Sequence, residues 1–414
     1  MTVAVTPRDW RSVPVSELIS IAHGFAFKGE FFSEYGRDAV TTPGNFLESG
    51  GFRYTGAKQR YYSGAIPEAY RLDAGDLIVA MTEQSEGLLG STAWVPDTGS
   101  WLHNQRIGRI RAKSRYVSLK YLYCVFNSFE FRKSVTETAA GTKVKHTSPA
   151  KLGEIKVLLP PRGEQDRIAE FHSDADECIA ALERLITKKQ AIKKGLMQQL
   201  LTGRTRLSGF SGDWTDRKIG DFAQVRSGGT PSTAVDAYWG GEIPWMSSGE
   251  VHQKQIRRVV GRITRLGLQK SAAQLMPPGT VLIALAGQGK TRGTVAFSRI
   301  ELATNQSIAG IGPSGEHDSD YLYYNLDSRY SELRGESAGD GGRGGLNLAI
   351  IKRLSVSFPS REEQAAIARV LLDVDSELEV LHDRREKARA IKCGMMQELL
   401  TGRIRLPFQG EGDE

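Results

Sequence analysis

One stretch of fifteen residues occurs twice in this chain, and the two copies agree at eleven positions. The first copy runs from Lys193 to Leu207 (KKGLMQQLLTGRTRL) and the second from Lys392 to Leu406 (KCGMMQELLTGRIRL). The same offset of 199 residues pairs the segment that begins at Pro160 with the one that begins at Pro359, without insertion or deletion. About fifty residues are therefore held to one length in both copies, which a loop would not require.

Each copy is predicted to form one long helix. A proline-containing segment precedes both helices (LPPRGEQ and FPSREEQ) and predicts where each begins. Both copies end with Leu-Leu-Thr-Gly-Arg, in which Gly203 and Gly402 suit a helix C-terminus. About 38 residues lie between these signals, or roughly 57 Å of helix at about 1.5 Å per residue.

Apolar residues recur along both predicted helices at alternating steps of four and three, which is the spacing of a coiled-coil seam. In the first helix they are Phe171, Ala175, Cys178, Leu182, Leu185, Ile192 and Leu196. In the second helix they are Val370, Val374, Leu381, Ala388, Ile391 and Met395. Charged residues interrupt the seam at Lys189, Glu377 and Arg384. A single helix this polar is only marginally stable in water, so we predict that the two helices bury their seams on each other.

The charges along the helices predict how they pair. Acidic residues such as Asp174 and Asp375 fill the N-terminal half of each helix, and basic residues such as Lys193 and Lys392 fill the C-terminal half. An antiparallel pair sets each acidic half beside the basic half of the other helix, whereas a parallel pair sets like beside like. We therefore predict antiparallel pairing. Complementation of each helix dipole is an alternative reason for the same charge pattern.

The helices leave two blocks of about 150 residues, each long enough for a core of its own. These blocks are diverged copies, since Trp10 and Gly24 match Trp214 and Gly228 at an offset of 204. A turn glycine leads into the apolar run LIVAM in one block and VLIAL in the other, which predicts a buried strand in each. Further matches are Asn104-Gln105-Arg106-Ile107 with Asn305-Gln306-Ser307-Ile308, and two predicted helices that begin near Tyr121 and Tyr321.

These patterns predict an α+β protein with internal pseudo-two-fold symmetry. Two similar mixed α/β domains are separated by two long helices that form an antiparallel coiled coil. The predicted boundaries are a first domain at 1–157, a first helix at 158–207, a second domain at 208–356, a second helix at 357–406 and a short tail at 407–414.

Composition adds weaker constraints. No stretch approaches the 18 apolar residues of a membrane span, so neither insertion nor export is expected. Cys124, Cys178 and Cys393 fit neither a disulfide framework nor a zinc pattern, which suits a reducing cytoplasm. The net charge of +7 and the pI near 9.2 favour an acidic partner, although an excess this size only suggests nucleic acid.

Between the shared landmarks the two blocks carry different loops. The two blocks share their strands and helices but differ in their loops. A protein that recognises two different targets requires this arrangement. Lys, Gln and Arg side chains can reach base edges in the major groove, and glycine turns let the backbone approach phosphates. The alternative for each loop is an ordinary solvated turn. The candidate DNA-binding residues are Lys58, Gln59, Arg60, Gln84, Ser85, Lys143, Lys145, His146, Thr230, Ser232, Gln288, Lys290, Thr291, Arg292, Arg343 and Asn347.

Two glycine-rich loops also invite an enzymatic interpretation. The loop Gly287-Gln288-Gly289-Lys290-Thr291 resembles a P-loop, but Ala284 stands where that motif needs glycine, and a strand-like segment follows it instead of a helix. The run GDGGRGG from Gly339 to Gly345 fits G-x-G-x-x-G without the apolar strand that should precede it. The histidines lack metal-ligand spacing. We predict no catalytic centre and no cofactor or metal of the chain's own.

The chain resembles the specificity subunit of type I restriction-modification systems over essentially its whole length. The resemblance rests on the repeated boundary signature, KVLLPPRGEQDRIA with GLMQQLLTGR and SVSFPSREEQAAIA with GMMQELLTGR. The entry to the second block, RSGGTPSTAVDAYWGGEIPWMSSGEV, is similar to the start of many target-recognition domains in that family. The first block departs from this entry, because it has Ala22-His23-Gly24-Phe25-Ala26-Phe27 instead.

The resemblance implies a function without catalysis in this chain. Each block would be a target-recognition domain that reads one half of a bipartite, gapped site in double-stranded DNA, and would direct adenine methylation or restriction by partner subunits. The long helices would act as a spacer and dock two modification (methyltransferase) subunits, and motor-nuclease restriction subunits would join through the complex. S-adenosylmethionine, ATP and magnesium would belong to those partners.

Two other classes of function stay open at this stage. A coiled-coil interaction or scaffold protein would explain the repeat but would not need two loop sets rich in Lys, Gln, Arg and Gly, and salt-dependent DNA binding would separate it from a specificity subunit. A nucleotide-dependent enzyme rests only on the imperfect loop around Lys290, which a nucleotide-binding assay would test.

Overall fold

The computed structural model describes residues 7–83, 87–141, 144–287, 289–335 and 346–407. The chain divides into two compact units. Unit 1 is Met1–Leu182 with Arg384–Glu414, and unit 2 is Glu183–Asp383. Each unit therefore contains one of the two predicted domains, the N-terminal half of the long helix that follows it and the C-terminal half of the other long helix.

The first domain, in unit 1, combines short strands with short helices. The strands are β1 (Arg11–Pro14), β2 (Ile19–His23), β3 (Phe32–Ser33), β4 (Asp38–Val40), β5 (Tyr61–Tyr62), β6 (Arg71–Leu72), β7 (Leu77–Ala80), β8 (Thr92–Trp94), β9 (Ser100–Leu102), β10 (Ile107–Ala112) and β11 (Lys156–Leu159). The helices are α1 (Val15–Leu18), α2 (Leu119–Phe126), α3 (Phe129–Thr138) and α4 (Pro149–Glu154), followed by the long α5 (Arg162–Leu200). The described strands form sheets in the orders β2-β10-β7-β8, β3-β5-β4-β9-β6 and β1-β11.

The second domain, in unit 2, repeats this plan with different strand lengths. The strands are β12 (Thr215–Lys218), β13 (Val225–Ser227), β14 (Trp239–Met246), β15 (Gln255–Ile256), β16 (Arg262–Ile263), β17 (Leu275–Met276), β18 (Val281–Ala284), β19 (Val295–Ser298), β20 (Leu302–Thr304), β21 (Ile308–Ile311) and β22 (Ser355–Phe358). The helices are α6 (Ile219–Phe222), α7 (Arg265–Gln269), α8 (Ser319–Ser328), α9 (Tyr330–Gly335) and α10 (Leu348–Arg353), followed by the long α11 (Arg361–Leu400). The described strands form sheets in the orders β13-β21-β18-β19-β15, β16-β14-β20-β17 and β12-β22.

The predicted strands and helices that the blocks share are confirmed. Strands β7 and β18 are buried at every residue and lie inside their sheets. Helices α2 and α8 carry the two predicted tyrosines into the cores, where the Tyr121 hydroxyl donates to the Leu158 carbonyl and the Tyr321 hydroxyl to the Ser357 carbonyl, both over 2.8 Å. Two diverged sequences thus keep the same bond between a helix and the edge strand before each long helix.

The long helices confirm the predicted lengths and ends. Helix α5 has 39 residues and α11 has 40. Gly203 and Gly402 follow them with φ of +68° and +71°. Glycine adopts this left-handed conformation without the penalty that a Cβ atom brings, which is why each helix can stop and turn there.

Ion pairs between the two helices confirm that they pack antiparallel. In unit 1, Lys392 Nζ lies 2.5 Å from the Asp176 carboxylate. In unit 2, Lys193 Nζ lies 2.6 Å from Asp375, and Lys189 pairs with Glu377. The two residue numbers in each pair add up to 566 or 568, as they must when one helix runs up while the other runs down.

The predicted coiled-coil seam is wrong by one residue at alternate positions. Ala175, Leu182 and Leu196 are partly buried as predicted, but Cys178, Leu185 and Ile192 are exposed. The row of buried and partly buried residues of α5 is Ile168, His172, Ala175, Ile179, Leu182, Ile186, Lys189, Lys193, Leu196 and Leu200. The row of α11 is Ile367, Leu371, Val374, Leu378, Leu381, Arg385, Ala388, Lys392, Met395 and Leu399, at the repeat offset of 199.

A buried carboxylate fastens the start of each long helix. Glu164 is 0 % exposed and accepts from the Arg405 guanidinium over 2.7 Å at both oxygens, and from Trp10 Nε1 over 3.0 Å. Arg405 also donates to Asp9; the bonds to Glu164 and to Asp9 raise the pKa of Arg405, and the bond from Arg405 lowers the pKa of Asp9. We name Glu164, Arg405, Asp9 and Trp10 the first clamp.

The second clamp consists of Glu363 and Arg206, in unit 2. Glu363 is 1 % exposed, and both of its oxygens accept from the Arg206 guanidinium over 2.6 Å. These two residues match Glu164 and Arg405 at the repeat offset, with Arg206 supplied from just after α5 and Arg405 from just after α11. Each clamp therefore ties the start of one long helix to the segment that follows the other.

The described residues contain neither a membrane-spanning helix nor a cluster of metal-ligating side chains. None of the helices there has an apolar window long enough to cross a bilayer. No cluster of three or more histidine, cysteine, aspartate or glutamate side chains in that part of the chain could hold a metal ion.

Candidate nucleic-acid interface

The described loops of the first domain meet at one edge of its sheets. Strands β4 and β9 are parallel, so their C-terminal ends lie together, and Thr41 N donates to the Leu102 carbonyl over 3.0 Å. Strand β7 reaches the same edge, because Met81 N donates to the carbonyl of Arg106, in the turn that follows β9, over 2.9 Å. We name this edge the first loop end; it comprises residues 23–27, 58–60, 81–83, 103–106 and 144–147.

Two predicted loops of the first domain are brought together at the first loop end. Thr82 Oγ1 lies 3.1 Å from His146 Nδ1, and Glu83 N donates to the Lys145 carbonyl over 2.9 Å. His146 is exposed and Lys145 is half-buried. Residues far apart in sequence therefore form one surface, as a binding site requires.

The second domain has a corresponding edge, the second loop end, comprising residues 228–232, 246–253, 285–287, 289–294 and 304–307. Gly229 N donates to the Thr304 carbonyl over 2.8 Å, and Thr230 Oγ1 donates to Gln306 Oε1 over 2.6 Å. On its other side, His252 Nε2 lies 3.1 Å from Thr291 Oγ1. The glycine-rich entry loop and the loop around Lys290 thus share one edge of the domain.

The predicted residues near Lys58 divide into exposed and internal ones. Lys58 is exposed, and Arg60 is exposed beside Glu34 at 3.0 Å. Gln59 is 7 % exposed, and its amide donates to the Val40 carbonyl and accepts from Asn45 and Thr55. The Gln59 side chain holds the loop together, so we leave it out of the contact set that we propose below.

The predicted contact residues of the second domain also divide into exposed and half-buried ones. Ser232 and Lys290 are exposed, and Arg292 is half-buried. Two hydrogen bonds stabilise the loop around Lys290, because the Lys290 carbonyl accepts from Thr294 Oγ1 and from the Tyr330 hydroxyl. It turns into strand β19, as expected for a segment that is not a P-loop.

Asn347, the last of the predicted residues in the described part of the second domain, caps a helix. Its Oδ1 accepts from Ile350 N over 3.0 Å at the start of α10. Ser148, at the repeat offset, caps α4 in the same way. The other predicted contact residues lie outside the described residues; they are Gln84, Ser85, Lys143, Gln288 and Arg343.

A pair of turns at the two loop ends was not among the predicted contact residues. Asn104 Oδ1 accepts from Arg106 N over 3.0 Å, and Asn305 Oδ1 accepts from Ser307 N over 3.2 Å. The asparagine fixes each turn by bonding its own backbone two residues on. The glutamine that follows it, Gln105 or Gln306, is exposed. The repeated Asn-Gln string was visible in the sequence and could have identified these turns.

A glycine directly after the neighbouring strand makes room for each turn. A Cβ atom on Gly24 would lie 2.2 Å from the Asn104 carbonyl oxygen, and one on Gly228 would lie 2.0 Å from the Thr304 carbonyl oxygen. Only glycine allows the backbones to approach this closely. The two turns are therefore built alike.

The histidine beneath the first turn carries no charge at neutral pH. His103 is 1 % exposed, and burial lowers its pKa to about 4. Its Nε2 lies 2.9 Å from the Ile107 carbonyl, to which the neutral ring can donate. The positive charge of the first loop end therefore comes from exposed side chains such as Lys58 and Arg106.

Comparisons with known proteins place the chain in a family. The family model for the type I restriction modification DNA specificity domain matches residues 7–194 and 211–389. The chain is 33 % identical to the MjaIX specificity subunit of Methanocaldococcus jannaschii over 171 residues, which is 40 % of this chain and 39 % of that protein. It is 23 % identical to the MjaX specificity subunit of the same organism over 359 residues, or 81 % and 80 % of the two chains.

Solved structures agree with this assignment at the level of fold. The S subunit from M. genitalium superposes with a TM-score of 0.61 at 13 % identity, covering 96 % of this chain and 97 % of that one. The HsdS subunit from Thermoanaerobacter tengcongensis gives a TM-score of 0.51 at 17 % identity, covering 96 % and 98 %. The repeat, the two similar domains and the double family match lead to one conclusion: this chain belongs to the family of type I restriction-modification DNA specificity subunits.

Proposed function

We propose that each domain reads one half of a bipartite, gapped DNA site through its loop end, and that the chain directs adenine methylation or restriction by partner subunits. The observation that carries the proposal is the presence of two equivalent edges built on one frame with different loops. Exposed Lys58, Arg106 and Lys290 can contact phosphates, and exposed Gln and Ser side chains can contact base edges. A scaffold protein would have no need of two such edges.

Exchange of the second domain tests this function. Replacing residues 208–356 by the same region of a related subunit should change one half of the methylated site and leave the other unchanged, because each domain has its own core and loop end. Methylome sequencing of cells that carry the chimaera and the modification subunits measures both halves at once. A chimaera in which both halves change would contradict independent reading.

We further propose that the long helices dock two modification subunits. The one-residue shift of the seam leaves apolar residues of both helices in solvent, among them Leu185 at 41 %, Ile192 at 42 % and Ile391 at 62 % exposure. Exposed apolar side chains on a helix face are typical of a surface that a partner covers. Catalytic groups and their cofactors would then be supplied by these partners.

The substitution Ile192→Glu is expected to weaken docking without unfolding the chain, because the side chain is not in the seam. Gln190→Glu adds the same charge two residues away, and is expected to bind as wild type does. Co-purification with the modification subunits and analytical ultracentrifugation give the comparison. Equal binding by both variants would remove this face from the docking surface.

A further inference from the structure

We propose that Arg258 and Arg262 of the second domain contact DNA phosphates beside the loops that read the bases. This inference rests on the function proposed above and assigns a positioning role to two residues outside the predicted contact set. It starts from a charge asymmetry, because residues 251–300 contain nine lysines and arginines and no aspartate or glutamate. We name residues 257–262 the basic segment.

The basic segment adjoins the second loop end. Its last residue begins strand β16, which pairs antiparallel with β14. Trp245 N donates to the Gly261 carbonyl over 2.9 Å near the C-terminal end of β14, and Val260 N donates to Glu250 Oε1 over 3.4 Å. Because residues 246–253 belong to the second loop end, the basic segment widens that edge of the domain.

The first domain has a predicted contact segment at the same structural position. Val40 N donates to the Arg60 carbonyl over 2.8 Å, as Trp245 N does to the carbonyl of Gly261. The two donors are equivalent, because the parallel partner of each lies two residues before the asparagine of the corresponding turn. The segment that ends at Arg60 and the basic segment therefore occupy matching places in the two sheets.

Both segments present exposed cations. Lys58 and Arg60 are exposed in the first domain, and Arg258 and Arg262 are exposed in the second. The strings AKQR and RRVVGR share no pattern that an alignment would detect. Two unlike sequences thus supply a pair of positive side chains beside equivalent strands, which is the feature that a common ligand such as the DNA backbone would require.

The fold leaves the charges of Arg258 and Arg262 without a carboxylate partner. Four other cations of residues 251–300 form ion pairs; they are Lys254, Arg257, Arg265 and Arg299. Among the described residues, Arg258 and Arg262 take part in no ion pair, and the Arg262 guanidinium donates to the Glu242 carbonyl over 3.4 Å. Val260, between them, is 92 % exposed. The basic segment therefore projects into solvent with its charge available to an anion.

The lateral position of the basic segment favours phosphates over base edges. In the sheet order β16-β14-β20-β17, it precedes the outer strand β16, whereas the turn that contains Gln306 follows β20, two strands away. Two strand spacings amount to about 10 Å, which is comparable with the major-groove width of about 12 Å. Side chains on the central turn can enter a groove while arginines on the basic segment meet the phosphates along its border, where a guanidinium forks onto two oxygens.

The test is the salt dependence of DNA binding by the chain in complex with its modification subunits. Arg258→Ala and Arg262→Ala should each reduce the slope of log K against log salt by about 0.9, the effect of losing one phosphate contact. In about 0.1 M salt the affinity should then fall about five- to ten-fold, equally for the recognised site and for DNA that lacks it. Methylome sequencing should return the wild-type sequence in both half-sites, since phosphates carry no base information.

Two controls accompany these variants. Arg353→Ala removes an exposed arginine beside α6, from which the chain enters β13 at the end of the sheet opposite the second loop end, and this variant should keep the wild-type slope. Arg258→Lys and Arg262→Lys retain the positive charge and should also keep the slope, because a lysine ammonium binds phosphate as a point charge.

Three results would overturn the proposal. The first is an unchanged slope in both alanine variants. The second is a changed base in the second half-site, which would indicate a base contact. The third is weaker assembly with the modification subunits at an unchanged slope, which would assign the basic segment to protein docking.

Failure of this inference is distinguishable from failure of the proposed function. The methylome of the wild-type chain and of the domain exchange reports whether the domains read a bipartite site, and it does not depend on the arginine variants. A bipartite site together with unchanged salt slopes in Arg258→Ala and Arg262→Ala would reject the phosphate assignment alone.

Discussion

Arg405→Ala is expected to lower the free energy of unfolding of unit 1 by about 1–3 kcal/mol, because it leaves the buried Glu164 carboxylate without its charged partner, whose own side chain is 37 % exposed. Glu164 is completely buried, and the Arg405 guanidinium neutralises it with two bonds of 2.7 Å. Without the guanidinium, the carboxylate keeps one neutral donor, Trp10 Nε1. The exposed pair between Arg405 and Asp9 adds little to this effect, because solvent screens it.

Arg403→Ala is the matched control for this substitution. Arg403 Nε lies 2.8 Å from Glu398, and both side chains are more than a third exposed. Loss of such a surface pair should cost less than about 1 kcal/mol. Denaturant unfolding and hydrogen exchange of the amides in β1 and β11 would measure both variants. Similar destabilisation by the two would mean that burial of Glu164 does not decide the effect.

A four-residue insertion in both long helices is expected to lengthen the unread gap of the DNA site by one or two base pairs. Four residues add about 6 Å of helix, and a base pair occupies about 3.4 Å of duplex. Insertion after Arg184 in α5 and after Asp383 in α11 keeps Lys193 opposite Asp375 and Lys392 opposite Asp176. Four added residues are accommodated in a coiled coil by local unwinding. Methylome sequencing should return both half-sites unchanged on either side of the longer gap.

The control for the insertion adds the same four residues after Gly209, between α5 and β12. Gly209 is exposed, and a Cβ atom built on it would meet nothing within 4 Å. This variant should keep the original gap. A gap that does not respond to helix length would reject the helices as the spacer, even if both domains still read their half-sites.

Sequence periodicity predicted the long helices but misplaced half of the residues in their seam. It favoured Leu185 and Ile192 because they are apolar, whereas the structure places Ile186 and Lys193 in the seam at those positions and keeps Lys189 there as well. Those lysines face Glu377 and Asp375, and Lys193 Nζ also lies 5.3 Å from the centre of the Tyr324 ring. Their partners lie about 185 residues away in the chain, beyond the reach of a pattern read along one helix.

The candidate site was predictable at the level of loops and less so at the level of side chains. The sequence predicted the loops around His146 and Lys290 as contact loops, but it did not predict that they lie at corresponding edges of the two domains. Gln59 and Asn347 illustrate the limit, since one satisfies a buried carbonyl and the other caps a helix. Both polar side chains are used internally, and which backbone groups need a partner depends on the folded loop.

The first clamp joins residues near the start of the chain to Arg405, near its end, so unit 1 is completed later in synthesis than unit 2. Unit 2 is one continuous segment, Glu183–Asp383, so every residue it needs has been synthesised before Arg384 is added. Unit 1 begins first but finishes last, because Met396 and Leu399 complete its hydrophobic core and Arg405 closes on Glu164. Domains usually fold in the order in which they emerge. Here the synthesis of the second unit is finished before the C-terminal helical segment of the first unit, which starts at Arg384, has been made. A nascent chain that stops between Arg384 and Arg405 would therefore lose the integrity of the domain that was translated first.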